Sequence, residues 1–479
     1  MERLSLHQGH LPLRNALLQF FGGMLALVTG QSGGREGPAV HLGAAASSQL
    51  GQLFRLPNNS IRALVGCGTA AAIAASFNTP IAGVIFAMEV VMMEYTIASF
   101  IPVILAAVTA TLLTRYVYGA EPAFLVPSLS MQSLTEIPFI IFAGILLGGL
   151  AAMFNKLVQR FAQLSHRPMW QRGLLAGALT ASAALLTPEV MGIGYDTVNS
   201  AMLGQIAMTT LALLVVTKLV ASAACVGLGL PVGLIGPSLV MGAAFGGLLG
   251  SIGSIWYPEA ATSPGFYVML GMTAMMAAVL QAPLAALMTV LELTANPNII
   301  LPAMLVIVLA TLTASQVFRQ RSVFLSTLDT LGLQYPPNPV SLHLQRAGVA
   351  SLMHRDFVRL PAIMEPGQAR LALQQQLKWV VVEASDGAPR CVLYASDLDI
   401  FMDQRHKDSE EPVDLMKIPG MRKDVDVIDI RATLQQALDQ FRATGVEALC
   451  VTRTAAPLIT PIVGIVTRED IDRYAGVSG

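Results

Sequence analysis

Two apolar stretches about 200 residues apart carry the same spacing of glycine and proline, and an internal repeat of this length leaves few architectures open. Gly34-Arg35-Glu36-Gly37-Pro38 runs on into Ala39-Val40-His41-Leu42-Gly43-Ala44-Ala45-Ala46, and Gly233-Leu234-Ile235-Gly236-Pro237 runs on into Ser238-Leu239-Val240-Met241-Gly242-Ala243-Ala244. A second block follows each in the same order. Gly68 to Glu89, through Asn78-Thr79-Pro80-Ile81-Ala82, matches Gly271 to Glu292, through Gln281-Ala282-Pro283-Leu284-Ala285. Chance similarity of Ala/Gly-rich helices mimics a part of this pattern, not both blocks in order. Paired, interrupted apolar segments let a membrane protein aim helix ends at an ion near the bilayer midplane.

Composition agrees with a membrane chain: 54% of residues are hydrophobic, 12% are charged, and the mean hydropathy is +0.61. A large soluble helical protein would need far more charge to cover its surface. The formal net charge of -1 argues against a nucleic acid or other polyanionic partner. Ile101 to Leu113, Ile137 to Phe154, Gly173 to Leu186, Ile206 to Cys225, Phe266 to Leu280 and Ile299 to Val317 read as helices with Gly and Pro between them. Many of these runs fall short of the roughly 20 residues of a full span. Short, tilted, broken helices suit a protein that lines an ion path with helix ends.

Glu36 carries the chemistry of the first motif. The glycines before it let the backbone turn and approach closely, and the apolar helix after it begins with unpaired N–H groups that would otherwise attract an anion. A carboxylate inside a membrane costs roughly 3 kcal/mol or more, so its placement here reads as a tethered competitor for a mobile anion. The plainer reading is a helix-capping Glu on a surface helix. In the second copy Ile235 stands where Glu36 stood. The cysteines, Cys67, Cys225, Cys391 and Cys450, read as free thiols without metal-ligand spacing. His41 and the other histidines form no His/Cys/Asp cluster, and neither a nucleophile–base pair nor a phosphate-binding loop stands out, so catalysis is not expected. The residues through Leu13 lack the pattern of a secretory signal.

At these residues the chain resembles the CLC family of chloride channels and proton-coupled chloride antiporters, whose signature G-R-E-G-P is intact. The family's G-x-F-x-P signature is present in altered form as Gly233-Leu234-Ile235-Gly236-Pro237, with Ile for Phe, preceded by Gly227-Leu228-Gly229-Leu230-Pro231. The resemblance covers most of residues 11 to 335. It implies an all-α polytopic membrane protein of inverted repeats, multi-pass in a bacterial inner membrane and homodimeric in the lipid bilayer. One chloride pathway per subunit and no required cofactor go with it. It also implies Glu36 as the gating carboxylate, with Arg35, Gly37, Leu234, Ile235 and Phe324 around the anion.

Family antiporters place a proton-relay glutamate directly after the one that ends the N-A-P-L-A-G helix. Here Glu89 matches the first carboxylate and Val90 falls at the relay position. A valine cannot carry a proton, which favours channel-like chloride movement. The alternative is a proton-coupled antiporter with a non-standard relay, through water or Glu94. Glu89 itself reads as a helix-end carboxylate satisfied by hydrogen bonds. Phe324 stands where the family has an anion-binding tyrosine, so the hydroxyl donor is replaced by a weakly positive ring edge. The family's G-S-G-I-P signature is missing from the 33 residues ahead of Gly34, and the expectation is a chain truncated at its start. A further alternative is a regulatory, nucleotide-sensing membrane scaffold whose incomplete pore no longer conducts.

Beyond Leu333 charge becomes frequent, and Pro336-Pro337-Asn338-Pro339 makes a stiff break. The reading is a transmembrane domain over 1–335 and a small α/β cytoplasmic domain over 336–479. Two similar halves are legible in the latter. One runs from Val349 to Asp403, opening with a short helix at Ala350-Ser351-Leu352-Met353. The other runs from Met421 to Tyr474, with an amphipathic helix from Thr433 to Thr444 and a buried strand at Ala448-Leu449-Cys450-Val451-Thr452. Val463-Gly464-Ile465-Val466-Thr467-Arg468-Glu469-Asp470 resembles the close of a cystathionine-β-synthase-type (CBS) repeat, pairs of which commonly bind adenine nucleotides. That resemblance implies Thr467 and Asp470 as nucleotide contacts. The same T-x-x-D spacing is a good helix cap, and a dimerising or stabilising tail is the other reading.

Overall fold

Helices begin here where a proline falls in the first turn of an apolar run, its missing N–H being one that a helix start leaves unpaired anyway. The computed structural model describes residues 3–4, 7–119, 124, 129–256, 262–333, 339–374, 377–384, 387–405, 411–453 and 461–476. Residues 336–338 of the expected proline break lie outside them. Two compact units result: Met1–Phe54 with Ile61–Pro336, and Arg55–Ser60 with Pro337–Gly479.

The first unit is helical. In order it contains α1 (Leu13–Val28), α2 (Glu36–Leu53), α3 (Asn58–Phe77), α4 (Pro80–Phe86) with a π-helical extension Ala87–Met92, and α5 (Ile97–Tyr118). After these come α6 (Ile137–Ala162), α7 (Met169–Leu186), α8 (Tyr195–Met202), α9 (Met208–Gly227) and α10 (Ile235–Trp256). The unit ends with α11 (Pro264–Leu280), α12 (Pro283–Thr294), α13 (Ile300–Leu312) with a π extension Thr313–Val317, and α14 (Val323–Thr330). Every residue of α11 from Gly265 to Leu280 is buried, as expected of a helix that is apolar all round and sits at the centre of its unit.

The expectation that many of these runs are too short to span is corrected in part. Among the described residues six helices are long and apolar enough to cross a membrane, among them 20 residues over Ser99–Tyr118, where the apolar run itself is only Ile101 to Leu113. The added turns tolerate a charged residue because its side chain finds a partner on another segment. Arg115, in the turn added after Leu113, donates from its Nε to Asn78 Oδ1 at 2.7 Å, and within the run Thr109 and Thr111 donate to the Leu105 and Ala107 carbonyls one turn back. Shorter apolar helices remain as well, including Leu13–Val28 and Pro283–Thr294.

The internal repeat is visible in the backbone itself. Left-handed φ occurs at matching positions of the two halves: Gly30 and Gly229, Asn78 and Gln281, Met93 and Ala295. For Gln281, Met93 and Ala295 this conformation costs roughly 1 kcal/mol or more, so it persists only where surrounding structure requires it.

In the second unit, six strands run in the order β1-β3-β4-β6-β7-β8: β1 (Phe357–Pro361), β3 (Trp379–Glu383), β4 (Pro389–Tyr394), β6 (Lys423–Asp429), β7 (Ala448–Thr452) and β8 (Ile462–Thr467). β2 (Ile363–Met364) and β5 (Val413–Asp414) pair separately. Each half has one parallel pair followed by one antiparallel pair, β1–β3–β4 and β6–β7–β8. A helix crosses over within each parallel pair, α16 (Pro366–Leu373) and α18 (Leu434–Thr444), and another closes each half, α17 (Ala395–Gln404) and α19 (Arg468–Tyr474). α15 (Pro339–Arg346) and a short 3₁₀ turn at Val349–Ser351 precede them. The halves join antiparallel through Cys391 opposite Asp424 and Val392 opposite Lys423. The two-half reading of the tail thus matches its topology, with the opening helix shortened to one turn.

Candidate functional site

The two repeat motifs meet face to face. The Gly34 N–H donates to the Gly233 carbonyl at 2.8 Å and the Gly233 N–H donates back to Gly34 at 2.7 Å, an antiparallel bridge between segments that open α2 and α10. Both helix N-termini therefore lie at one crossing, with the positive ends of their dipoles beside it. Glycine is required there on contact grounds. A Cβ at Gly34 would lie 2.1 Å from the Glu36 carboxylate oxygens, and one at Gly233 would lie 2.3 Å from Oε1.

Glu36 is the first residue of α2 and only 2% exposed. Its Oε1 accepts the Gly236 N–H at 3.1 Å, a donor from the first turn of the opposite repeat. Its Oε2 is buried without a hydrogen-bond partner among the described residues. The carboxylate thus occupies one backbone donor at the start of the opposite repeat's helix and leaves most of its own acceptor capacity unspent.

Six of the expected site residues line one cavity of about 680 Å³: Glu36, Gly37, Val90, Leu234, Ile235 and Phe324. Its walls are otherwise mostly apolar, with Val40, Val65, Phe86 and Val323 among them. Phe324, at the start of α14, is half-buried on this wall, where it offers a ring in place of a hydroxyl. Arg35 stands apart. Its side chain is exposed, donates to the Ser76 carbonyl at 2.6 Å, and lies 6.0 Å from the ring centroids of both Phe77 and Tyr195. What polarity the cavity has comes from backbone N–H groups and a few side chains, with Arg35 outside its wall.

Val90 belongs to the π segment after α4 and lines a second cavity as well, of about 350 Å³, whose wall includes Glu89, Gln281, Arg319, Arg321 and Ser322. A single valine is thus shared between the two spaces. Glu94 lines neither of them and accepts from the Ser99 hydroxyl at 3.1 Å.

Glu89 caps a helix of the other repeat, with its oxygens accepting the Leu284 and Ala285 N–H groups at 3.3 and 2.7 Å at the start of α12. Its counterpart Glu292 accepts from Ile81 and Ala82 at 3.1 and 2.7 Å at the start of α4. The exchange is reciprocal. The hydrogen-bonded, helix-end reading of Glu89 agrees with this geometry, while the pairing with Glu292 needed the fold to be seen.

Sequence reasoning passed over two further buried groups. Lys218, fully buried on α9, donates to the Val190 and Gly192 carbonyls at 2.9 Å each and so fixes the loop leading into Tyr195. Glu136, before α6, accepts from the Thr262 hydroxyl at 2.5 Å and the Tyr267 hydroxyl at 2.6 Å, a satisfied structural carboxylate. A lone charge in an apolar run was the available signal for each.

In the tail, Thr467 and Asp470 form a reciprocal capping box at the start of α19: the Thr467 hydroxyl meets Asp470 Oδ2 at 2.5 Å and accepts the Asp470 N–H at 3.3 Å. His354 Nε2 lies 3.1 Å from the same carboxylate oxygen. Burial pushes the Asp470 carboxyl up, but the hydrogen bonds from Thr467 and His354 and the adjacent His354 charge outweigh it and hold the group below the usual carboxylate range.

A family model described as voltage gated chloride channel matches residues 1–315. An H(+)/Cl(-) exchange transporter ClcA of Vibrio cholerae is 33% identical over 295 residues, which is 60% of this chain. The chain spans 63% of the length of that relative. Among solved structures, a slow cyanobacterial Cl-/H+ antiporter superposes with a TM-score of 0.62 at 24% identity, over 68% of this chain and 80% of that one. A eukaryotic CLC transporter superposes with a TM-score of 0.58 at 23% identity, over 98% of this chain and 82% of that one. These last two likenesses establish the fold, and the second extends over nearly the whole chain, tail included.

Proposed function

Since this chain belongs to the voltage gated chloride channel family, we propose that it moves chloride across a membrane, with Glu36 as the gate. The observation that carries this reading is the carboxylate at the crossing of the two repeats. Ionised, Glu36 holds the Gly236 N–H and fills the place an anion would take. Protonated, it loses the charge that competes for helix-end donors, the side chain swings out and an anion enters. Gly37, Leu234 and Ile235 provide the close backbone and apolar wall, and Phe324 closes the wall where a hydroxyl donor would give a stronger grip.

Exchange of chloride for protons is the second reading. It is favoured by the exchangers among the relatives and by the gate being titratable, and opposed by Val90. A homodimer in lipid fits α5, which exposes Ile97, Ile101, Leu105 and Leu112. The tail reads as a cytoplasmic CBS pair. Because Thr467 and Asp470 are engaged with each other and His354, a stabilising role is better supported than an adenine nucleotide site. The test is chloride efflux from vesicles containing the full chain, with the reversal potential measured against separate chloride and proton gradients. Absence of efflux refutes transport. A reversal potential that follows chloride alone refutes exchange and leaves the channel reading.

A further inference from the structure

Three polar atoms in the 680 Å³ cavity share one property. Glu36 Oε2, His41 Nε2 and Thr69 Oγ1 are each buried without a hydrogen-bond partner among the described residues, and all three residues line that cavity. Thr69 is 0% exposed and Glu36 2%. A buried polar atom left bare is expensive, whereas water in a roomy cavity removes the penalty when several polar atoms can hold it. At about 30 Å³ per molecule this space accommodates several waters.

The placement has a direction. His41 lies five residues beyond Glu36 on α2, an axial step of about 7.5 Å, too far for one hydrogen bond and within reach through bridging water. Thr69 reaches the cavity from α3, and Val90 from the π segment lines both this cavity and the second one. The charged or titratable side chains on its lining are Arg3, Glu36 and His41; α3 also carries Arg62, which donates to the Leu4 carbonyl, and Cys67. Across Val90 lie Glu89, Arg319 and Arg321.

We propose that His41 and Thr69 hold a short water chain that delivers protons to Glu36, so that this protein couples protons to chloride although a valine occupies the relay position. The proposal rests on the chloride transport read above, with Glu36 as the gate. His41 Nε2 takes a proton from one water and returns it to the next, and Glu36 Oε2 receives it, so a proton moves with no other bond changed. The Thr69 hydroxyl both donates and accepts, and it positions the water as a threonine methyl or valine could not.

The experiment uses full-length protein in vesicles under a chloride gradient, recording chloride and proton movement together and reading their ratio. Wild type should drive protons uphill. His41→Leu and Thr69→Val should each lower protons moved per chloride by about tenfold or more, the range of a lost proton-transfer group. Thr69→Ser should restore the ratio, and His41→Gln, which binds water without titrating, should fall between. An unchanged ratio in both His41→Leu and Thr69→Val overturns the proposal. So does a parallel fall of both fluxes at constant ratio, which is the mark of a merely structural role. Wild type that carries chloride without protons overturns the water chain and leaves chloride transport standing; absence of chloride flux refutes the underlying reading instead.

Discussion

Replacing Glu36→Gln removes the charge at the crossing while keeping the shape that two glycines accommodate. Two effects compete. The Gly236 N–H loses a charge-assisted hydrogen bond, worth about 1.5–3 kcal/mol. Against that, an anion about 4 Å from a full negative charge is repelled by about 4 kcal/mol at an effective dielectric constant of 20. Repulsion is the term an entering chloride feels, so its removal should raise occupancy of that position by about a thousandfold. Flux need not rise as far, because exit then limits it. The distinguishing feature is pH. Wild-type efflux should increase as pH falls, since protonation neutralises the gate, whereas Glu36→Gln should be flat at or above the acid limit of wild type. Chloride efflux from vesicles between about pH 4 and 8 decides the matter. A variant that keeps the wild-type slope would show that another group sets the pH response, and the reasoning about the crossing would fail.

Three other outcomes are expected. Glu292→Ala uncovers two N–H groups at the start of α4 and should lower stability by about 1–2 kcal/mol per lost cap, with Glu89→Ala acting on α12 independently; thermal melts of both single variants and the double test whether the losses add. Asp470 has its folded-state carboxyl below its unfolded one, so its stabilisation is complete above the ordinary carboxylate range and disappears as pH falls through the depressed value. Asp470→Ala should therefore cost about 1 kcal/mol near pH 7 and nothing in strong acid, and a millimolar adenine nucleotide should not shift the melting of the wild-type chain.

The placement of Glu36 at a helix start was legible in the sequence because its information is local: a carboxylate, flanking glycines and a helix start lie within five residues. Strands such as Ala448–Thr452, the helix from about Thr433 and the Thr467 cap were legible for the same reason. Arg35 was not, because its guanidinium is claimed by Ser76, Phe77 and Tyr195, residues far away in the chain. Helix lengths were underestimated at ends such as that of Ser99–Tyr118, where Arg115 reads as a stop in the sequence but is paired with Asn78 and lets the helix continue. The π segment around Val90 has no compositional mark, and the bare nitrogen of His41 is defined only by what does not approach it.

The exchange of carboxylates between Glu89 and Glu292 bears on how the chain is made. Ile81 and Ala82 emerge from the ribosome some 210 residues before the side chain that satisfies their N–H groups. Throughout that interval the start of α4 has no acceptor from its own half and must find one in water, lipid headgroups or insertion machinery. A chain halted between the repeats is accordingly left with an open helix end, and a separately expressed second half carries the acceptor it lacks. The two halves are thus complementary fragments by construction, each carrying the group that finishes the other.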